Sequence, residues 1–474
     1  MKNLTKNRIP THVKKIHLIA VCGTAMGALA CMLKDMGYAV SGSDQQIYPP
    51  MSRFLAAKHI DVAAGFDSAN IRDDIDLVVV GNAVSQDNPE VVAVVAKKHC
   101  FCSMPQAINF FTVGDKKPLL AVGTHGKTTT ASLLAWVLYE AGLDPSFVIG
   151  GILPNFESNY RLGQGDYIVI EGDEYDTAFF DKGPKFLHYD PHIAILTGVE
   201  FDHADIFTDL AHVRRTFQSF LNRMSAESLL LAFAGNSNAA ELIKGLDCRV
   251  ETYNLDAAAD WLVKPLTAQL KLASFEIYHD SRSLGTYHSS MAGEHNLLNT
   301  LAVIAATRHI GIADNIIAKA LTTFKGIKRR QEIRGQKRNI TVIDDFAHHP
   351  TAVKETIRAV KPLYPQGRLI AVFEPRTNSS MRKIFQDIYP QVFGPADLVC
   401  VREPSRLDKI PVEDRFSAKQ LVCDLNKKHT KAFYFADTDA IIAFLIKKAV
   451  PGDAILIMSN GGFDNIHEKL LKLL

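Results

Sequence analysis

The sequence predicts an α/β protein of about three domains that are built on parallel sheets throughout. The chain has 474 residues, and a domain usually contains about 100–200. Short β-branched runs alternate along it with longer stretches of helical composition, which is typical of βαβ units. Its 47% hydrophobic and 22% charged residues are those of an ordinary globular protein. We expect domain boundaries near residues 115 and 325.

The first segment, residues 1–115, has the element order of a Rossmann-like half. The pattern predicts a strand over Ile16–Val21, then a turn and a helix, then a second strand over Tyr38–Ser41. Further short apolar runs predict strands at residues 76–81 and 99–104. A nucleotide is expected where the first strand meets its helix.

The turn at that point carries two glycines, Gly23 and Gly27, and Asp44 follows about twenty residues later. The G-x-G-x-x-G pattern of dinucleotide sites is absent, which disfavours an NAD(P)-dependent oxidoreductase; an NAD(P)-binding assay would separate that class. The glycines could also serve packing alone. We favour a helix N-terminus that binds the diphosphate of another nucleotide. Its predicted contacts are Gly23, Thr24, Ala25, Met26, Gly27, Ser43 and Asp44.

The second segment, residues 116–325, opens with LLAVGTHGKTTT, an apolar run that breaks into a glycine-rich turn before a helical stretch. Such a turn aims backbone N–H groups at phosphate oxygens, while Lys127 neutralises phosphate charge and Thr128 offers its hydroxyl to Mg²⁺. Ala121 stands where the usual pattern has glycine, and a turn with a surface lysine is the alternative. The flanking strand and helix favour a phosphate loop. Its predicted ATP contacts are Gly123, Thr124, His125, Gly126, Lys127, Thr128 and Thr129.

Acidic groups follow two later strands of this segment, predicted at residues 167–170 and 192–197. Glu171 opens the run EGDEYD after the first strand, and His203 ends the run EFDH after the second. Because the carboxyl ends of parallel strands share one sheet edge, both runs should lie near the phosphate loop. A solvated acidic loop and a structural histidine are therefore disfavoured. Glu171 is the best candidate Mg²⁺ ligand, and His203 is a metal ligand or a charge-stabilising group.

The rest of the second segment contains a predicted strand over Leu229–Phe233, a β-rich stretch at about 250–290 and a helix over Asn296–Ile310. Asn296 and Asn299 lie on one face of that helix because they are three residues apart. Either side chain could simply cap the helix or face solvent. Their amides also suit hydrogen bonds to a purine, so we predict that they contact the adenine of ATP.

The third segment, residues 326–474, again alternates strands with helical stretches. Arg330 belongs to a basic triplet, which is usually solvated but which beside an ATP site can neutralise phosphate. Asp345 and His348 follow the first strand in the run DDFAHHP, and Arg376 follows the next strand as a candidate carboxylate-binding residue. Strands are predicted over Ile340–Asp344, Arg368–Phe373, Leu398–Val401, Ala432–Phe435 and Ala454–Met458.

Composition disfavours several classes of protein. The net charge of +2 gives no reason to expect nucleic-acid or membrane-surface binding. The basic start of the chain has no apolar run behind it, so it does not resemble a signal peptide, and no apolar run approaches the roughly 20 residues of a membrane span. The seven cysteines are scattered and form no framework, which indicates reduced thiols in a cytoplasm.

Taken together, these motifs resemble the Mur ligases, the ATP-dependent amide-forming enzymes of bacterial peptidoglycan synthesis. The resemblance covers essentially the whole chain, in family order: CGTAMGALA and SGSD, GTHGKTTT, EGDEYD, EFDHAD, GEHNLLN, KRR, DDFAHHPTAV and NGGF. Any one motif is weak, but the series is specific. It implies a Rossmann-like UDP-sugar-binding domain, a central phosphate-loop ATP-binding domain and a Rossmann-like third domain for the acceptor and nucleotide.

Within the family, GTHGKTTT and DDFAHHPTAV resemble the branch that acts on UDP-N-acetylmuramate. CGTAMG, SGSDQQIYPPMS and the long stretch from EGDEYD to FLHY resemble the ligases of cell-wall recycling, which attach the tripeptide L-alanyl-γ-D-glutamyl-meso-diaminopimelate. The alternative within the branch is the L-alanine-adding ligase of de novo synthesis. A non-catalytic nucleotide-binding protein is disfavoured because Lys127, Glu171 and His203 are intact.

The resemblance also implies a mechanism and its residues. The lactyl carboxylate of UDP-N-acetylmuramate attacks the γ-phosphate of ATP, and the peptide amine then displaces phosphate from the acyl phosphate. The implied catalytic residues are Lys127, Glu171 and His203, with Mg²⁺ held by Thr128, Glu171 and His203. Arg330 and Asp345 are expected to contact the nucleotide from the third domain. Because the tripeptide carries several carboxylates, acceptor contacts are predicted at His348, Arg376, Arg402 and Arg406.

Overall fold

The chain forms three α/β domains, as predicted, each with its own main sheet. This arrangement is seen in a computed structural model that describes residues 6–255, 258–268, 272–405 and 407–474. Within these residues, no helix is both long and apolar enough to cross a membrane. All seven cysteines are free thiols.

The first domain has a five-stranded parallel sheet in the order β3-β2-β1-β4-β5. β2 and β3 lie on one side of β1 in the sheet, and β4 and β5 lie on the other. Because the strand order reverses at β1, a crevice opens beyond its carboxyl end. The strands are β1 Lys15–Ile19, β2 Ala39–Asp44, β3 Asp61–Ala64, β4 Leu77–Val80 and β5 Cys100–Ser103, and the helices are α1 Thr24–Asp35, α2 Met51–Ala57, α3 Pro89–Ala96 and α4 Met104–Ile108.

The middle domain has a ten-stranded sheet in the order β17-β16-β15-β14-β13-β12-β6-β9-β7-β8, and β10 pairs with β11 beside it. The strands are β6 Lys117–Val122, β7 Ser146–Leu153, β8 Ser158–Arg161, β9 Tyr167–Glu171, β10 Asp176–Ala178, β11 Asp181–Pro184, β12 Ile193–Leu196, β13 Leu229–Phe233, β14 Arg249–Asn254, β15 Trp261–Ala268, β16 Ala273–His279 and β17 Arg282–Ser289. The helices are α5 Lys127–Glu140, α6 Leu210–Leu221, α7 Ser237–Leu242, α8 Glu294–His309 and α9 Asp314–Thr323.

The third domain has a six-stranded sheet in the order β18-β19-β23-β20-β21-β22. Its strands are β18 Glu332–Lys337, β19 Ile340–Asp345, β20 Leu369–Phe373, β21 Leu398–Arg402, β22 Ala432–Phe435 and β23 Ala454–Met458, and its helices are α10 Pro350–Val360, α11 Ala418–Lys427, α12 Thr438–Lys448 and α13 Ile466–Leu473. β18 was not predicted, because it is polar and lies at the edge of the sheet.

The expectation of parallel sheets throughout is wrong at the sheet edges. β16 and β17 are antiparallel, and so are β18 and β19. Each pair is joined by two residues with positive φ, Asp280 and Ser281 in the first and Arg338 and Asn339 in the second. Two such residues form the tight turn that matches the twist of a hairpin. Only one of the four is asparagine and none is glycine, so the usual sequence signal of this turn is nearly absent.

Helix α5 is buried on almost every side, which anchors the phosphate loop at its start. Residues 128–138 are all buried, and α5 packs against α8 and α9 as well as the sheet. The Trp136 indole N–H donates to the carbonyl of Ala320 over 3.1 Å and ties α5 to α9. A helix without a polar face belongs in the interior of a domain. The loop before it therefore has a rigid base.

Candidate active site

The phosphate loop connects β6 to α5 and needs glycine at two positions. Gly123 and Gly126 have φ of +129° and +81°, a region that other residues rarely adopt. A Cβ on Gly123 would collide with the Thr197 hydroxyl, and one on Gly126 would lie 2.7 Å from the amide oxygen of Asn299. The loop therefore packs directly against the residue after β12 and against α8. Ala121 lies inside β6, so it does not alter the loop.

Lys127 begins α5, and the protein encloses its ammonium group. Nζ donates to the carbonyl oxygens of Gly123 at 2.6 Å and Thr124 at 3.2 Å, and it lies 2.8 Å from one carboxylate oxygen of Glu174. The other oxygen of Glu174 lies 3.1 Å from Nε2 of His203. Glu174 is only 3% exposed. One buried carboxylate thus joins the two cations predicted to act on phosphate.

The charges of these three groups support one another. Burial opposes the charged form of each, but the surrounding carboxylates, with Glu174 the largest contributor, together outweigh it and raise the pKa of Lys127 and of His203. Lys127 and His203 in turn lower the pKa of Glu174, again against its burial. The site therefore favours an ammonium, an imidazolium and a carboxylate held side by side.

Thr128 and Glu171, at the start of α5 and the end of β9, form a pair of oxygen donors. Thr128 Oγ1 donates to Glu171 Oε1 over 2.7 Å, and Oε2 accepts the N–H of Gly150 over 2.7 Å. A hydroxyl beside a carboxylate is a hard oxygen set of the kind that Mg²⁺ prefers. His203, the third predicted metal ligand, contacts Glu174, so it lies on the Lys127 side of the site.

The third domain reaches the phosphate loop through Arg330. Its NH2 group lies 3.5 Å from Thr128 Oγ1, and burial lowers the pKa of its guanidinium. Asp345 accepts the N–H groups of Gln331 and Ala347, each over 2.8 Å. The Asp345 side chain thus holds together the segment that carries Arg330 and the loop after β19. A direct contact of Asp345 with the nucleotide stays a prediction.

A second contact between the middle and third domains is built from histidines. His125 Nε2 and His349 Nδ1 lie 3.3 and 3.7 Å from the same oxygen of Glu200. Beside them, His348 Nε2 lies 3.8 Å from Asp202 Oδ2. Burial, and then the nearby His125, lowers the pKa of His349 to about 3, so this imidazole is neutral at pH 7.

In the first domain the turn at residues 23–26 borders the cleft. Two of the predicted sugar-binding residues, Ser43 and Gly27, do not border it. Ser43 is fully buried and donates its hydroxyl to Glu90 over 2.5 Å. Gly27 is buried under α2, where a Cβ would come within 2.7 Å of Met51, and its N–H bonds to the carbonyl of Gly23. The predicted ligand contacts of Ser43 and Gly27 are therefore revised to packing roles.

The side chains of Asp44 and Asn296 form hydrogen bonds with backbone groups of the protein. Asp44 Oδ2 accepts the N–H of Cys22 over 2.9 Å, which ties the end of β2 to the turn before α1. Asn296 donates from Nδ2 to the carbonyl of Ala292 over 2.7 Å. Asn296 and Asn299 both border the cleft, so their contact with adenine stays a prediction, as does that of Asp44 with the sugar.

Two arginines of the predicted acceptor site share one buried carboxylate at the carboxyl ends of β20 and β21. Arg402 is 8% exposed and pairs with Glu374 and, at 2.7 Å, with Asp464. Arg376 is half-buried, with NH1 3.7 Å from Glu374. Because Arg402 already has two carboxylate partners, its predicted contact with the acceptor is revised to a supporting role. Arg406 lies outside the described residues.

One cleft of about 1370 Å³ connects the three domains. Typical ligand pockets measure about 300–1,000 Å³, so this cleft has room for more than one substrate. Residues from every domain border it, among them Thr24, Lys127, Glu171, His203, Arg330 and His348.

Three segments of the chain match known protein families. Residues 15–111 match the Mur ligase family catalytic domain, residues 122–307 the Mur ligase middle domain, and residues 329–461 the Mur ligase glutamate ligase domain. The chain belongs to the Mur ligase family. It is therefore an ATP-dependent ligase that forms amide bonds, which confirms the predicted family, fold class and enzyme class.

This Mur ligase is similar over its full length to relatives of two kinds. It is 40% identical to the Escherichia coli K12 UDP-N-acetylmuramate–L-alanyl-γ-D-glutamyl-meso-2,6-diaminoheptandioate ligase, over 96% of this chain and 97% of the relative. It is 34% identical to the UDP-N-acetylmuramate–L-alanine ligase of Desulforamulus reducens, over 97% and 98%. A crystal structure of a murein peptide ligase from Psychrobacter arcticus 273-4 has a TM-score of 0.72 and 33% identity, over 97% of this chain and 98% of that one.

The geometry adds two carboxylates that sequence reasoning about this Mur ligase did not single out. Glu174 bridges Lys127 and His203, and Glu200 joins His125 to His349. Both belong to the acidic runs EGDEYD and EFDH, from which the sequence analysis singled out only Glu171 and His203. Nothing in the spacing of EGDEYD or EFDH shows which carboxylate pairs with which cation or histidine, because that choice depends on side chains from other elements.

Proposed function

We propose that this ligase joins UDP-N-acetylmuramate to the tripeptide L-alanyl-γ-D-glutamyl-meso-diaminopimelate, with ATP as the co-substrate, in peptidoglycan recycling. The observation that carries the proposal is the 40% identity, across almost the whole of both chains, to a ligase named for that reaction. The L-alanine ligases match at lower identity over the same length, 34% in the relative reported above. The alternative acceptor is accordingly L-alanine.

The chemistry begins with the lactyl carboxylate of the muramate. Its oxygen attacks the γ-phosphorus of ATP, ADP leaves, and an acyl phosphate forms. The free amine of the tripeptide then adds to the acyl carbon, and inorganic phosphate leaves as the amide forms. Domain closure over the cleft keeps water from hydrolysing the acyl phosphate.

The chain's own cations act on the transferring phosphoryl group. Glu174 holds Lys127 and His203 side by side at the cleft, so a phosphoryl group that approaches them from the cleft meets two preorganised cations. Arg330 approaches the same loop from the third domain. This arrangement places charge stabilisation where negative charge develops, which is the largest contribution an enzyme makes to phosphoryl transfer.

Thr128 and Glu171 are the residues that would hold Mg²⁺. Their oxygens are already 2.7 Å apart at the start of α5, which suits a small hard cation. When bound, the ion supplies charge neutralisation at the nucleotide phosphates. The predicted alternative role of His203, as the ligand of a second ion on the other side of Lys127, requires its imidazole to lose the proton that Glu174 stabilises.

The substrates and thiols fit a bacterial cytoplasm. All seven cysteines are free, and five of them are buried without forming pairs: Cys22, Cys31, Cys102, Cys248 and Cys400. Reduced cysteines are typical of that compartment. We therefore propose that the enzyme works in the cytoplasm, where its small-molecule partners include ATP and the UDP-sugar.

The acceptor assay tests the proposal directly. Purified protein is given UDP-N-acetylmuramate, ATP and Mg²⁺, with either the tripeptide or L-alanine at equal concentration, and phosphate release is measured. We expect the tripeptide to support much faster release than L-alanine. A preference for L-alanine would contradict the recycling reaction and favour the L-alanine-adding reaction. If neither acceptor supports phosphate release, both reactions are contradicted.

Arg376→Ala is expected to weaken the binding of the tripeptide more than the binding of ATP. The residue lies half-buried at the end of β20, and its guanidinium suits a carboxylate of the peptide. A charge-assisted hydrogen bond is worth about 1.5–3 kcal/mol, so the apparent KM for the tripeptide should rise roughly ten- to a hundred-fold. Arg376→Lys, which keeps the charge, is the control and should lose less. Equal changes in the KM of ATP and the tripeptide would contradict this role.

A further inference from the structure

A group of metal-binding side chains lies between the middle and third domains, apart from the Thr128–Glu171 pair. His125 comes from the phosphate loop, Glu200 from the loop after β12, and His349 from the residue before α10. One possible ligand atom of each lies within 4.8 Å of the others. Three elements that are distant in sequence therefore converge on one point.

The spacing of these atoms suits a tetrahedral ion. Bonds of about 2.0–2.2 Å to nitrogen and oxygen place neighbouring ligand atoms of tetrahedral zinc roughly 3.3 Å apart. His125 Nε2 and His349 Nδ1 are 3.3 and 3.7 Å from Glu200 Oε2, so only small side-chain movements would be needed. The imidazole planes are tilted by 43°, with centroids 4.5 Å apart.

The surroundings of His349 also prepare it for a metal. Its Nε2 donates to the carbonyl of Phe201 over 3.2 Å, which leaves Nδ1, 3.7 Å from Glu200 Oε2, as the nitrogen with the lone pair. A hydrogen bond from the second ring nitrogen to a carbonyl is the usual way in which proteins orient a metal-binding histidine. Nδ1 now accepts the N–H of Thr351 over 3.2 Å, and the Thr351 hydroxyl donates to Glu200 over 2.7 Å. A bound ion would take the place of the helix-cap contact to Nδ1 and would share Glu200 with the Thr351 hydroxyl.

We propose that His125, Glu200 and His349 form a binding site for a divalent transition-metal ion of the zinc class. Two imidazoles and one carboxylate are the donor set that zinc prefers, whereas Mg²⁺ favours oxygen alone. Three protein ligands leave a fourth position open to water or to a phosphate oxygen. Since the ligands belong to two domains, the ion binds only when the domains meet, and it stabilises the closed arrangement.

The consequence for the enzyme is inhibition by zinc. His125 lies in the phosphate loop, so a bound ion ties that loop to α10 of the third domain. Opening of the cleft, which product release requires, then needs the ion to leave. The site would thus act as a metal-dependent brake that is separate from the catalytic Mg²⁺.

The test measures zinc binding by equilibrium dialysis with saturating Mg²⁺ present throughout. We expect one zinc ion per chain in the wild type, and binding at least ten-fold weaker in His349→Asn, because asparagine retains the helix cap but loses the ligand. His348→Asn is the matched control, since it removes the neighbouring histidine at the same interface, and it should bind zinc like the wild type. Melting curves without zinc establish that each variant is folded.

Three further variants separate this site from the magnesium site. Glu171→Gln and His203→Ala should bind zinc with unchanged affinity, and His125→Gln should lose it. Zinc should raise the melting temperature and slow the turnover of the wild type but not of His349→Asn. If zinc binding follows Glu171 or His203 instead, or if all variants bind it equally, the proposal is overturned.

Discussion

Lys127→Ala is expected to lower the turnover by about 10²- to 10³-fold, the loss typical when one preorganised charge-stabilising donor is removed. The ammonium lies at the start of α5, held by two loop carbonyls and by Glu174, so it is already placed for phosphate. Steady-state phosphate release with saturating substrates measures the effect. Lys182→Ala removes an exposed lysine near the same acidic run and serves as the control.

The structure changes what is expected of the stability of this variant. An exposed loop lysine could be lost without harm, but Lys127 is enclosed and paired with a buried carboxylate. Removing one partner of a buried pair costs about 3–5 kcal/mol, so the melting temperature should fall. Lys127→Met combined with Glu174→Gln removes both charges and should recover stability without activity. Near-normal turnover in either variant would remove the phosphate-loop interpretation.

Glu171→Gln is expected to raise the Mg²⁺ concentration needed for half-maximal activity by at least about 10- to 100-fold, a loss already seen when outer partners of metal ligands are removed. The amide keeps the shape of the side chain but loses the charge that faces Thr128. Magnesium titrations of phosphate release measure the change. His203→Ala should shift the same titration, because His203 is the candidate ligand of the second ion.

Two controls test whether the effect is specific to the metal site. Asp176→Asn alters the same acidic run, but Asp176 lies 3.5 Å from the exposed Lys182 and should leave the titration unchanged. Calorimetry should show that both site variants still bind UDP-N-acetylmuramate, since that contact is assigned to the first domain. If Glu171→Gln and His203→Ala respond to Mg²⁺ like the parent, the metal assignment is wrong.

The phosphate loop illustrates what sequence predicts well. The apolar run before it, the glycines within it and the helical stretch after it are all local signals. The helix begins at Lys127, within the predicted motif, and β6 ends at Val122, directly before the loop. Local signals suffice here because the loop conformation depends on glycine and on its own backbone.

The acidic run EGDEYD illustrates what sequence leaves open. Its four carboxylates look equivalent, yet each has a different partner. Glu171 accepts from Thr128, Asp173 pairs with Lys185, Glu174 pairs with Lys127 and His203, and Asp176 faces the exposed Lys182. Those partners come from elements that only the folded chain brings together.

Buried polar groups caused the revisions in the first and third domains. Ser43 sits at a strand end where a ligand contact is plausible, but its hydroxyl bonds to Glu90 from α3. Arg402 sits at a strand end as well, but Glu374 and Asp464 occupy its guanidinium. A buried polar group must be paired, and a partner from a distant segment leaves no mark near it in the sequence.

The sequence by itself determined the family of this protein, its three α/β domains and the strand ends at which its functional groups stand, because glycine placement, hydrophobic periodicity and motif order are local properties. The tertiary structure alone decided which carboxylate faces which cation, that Arg402 is paired with two carboxylates, and that His125, Glu200 and His349 meet between two domains. The physical reason is that pairing of charges and burial depends on distances between segments far apart along the chain, which packing sets and residue spacing does not encode.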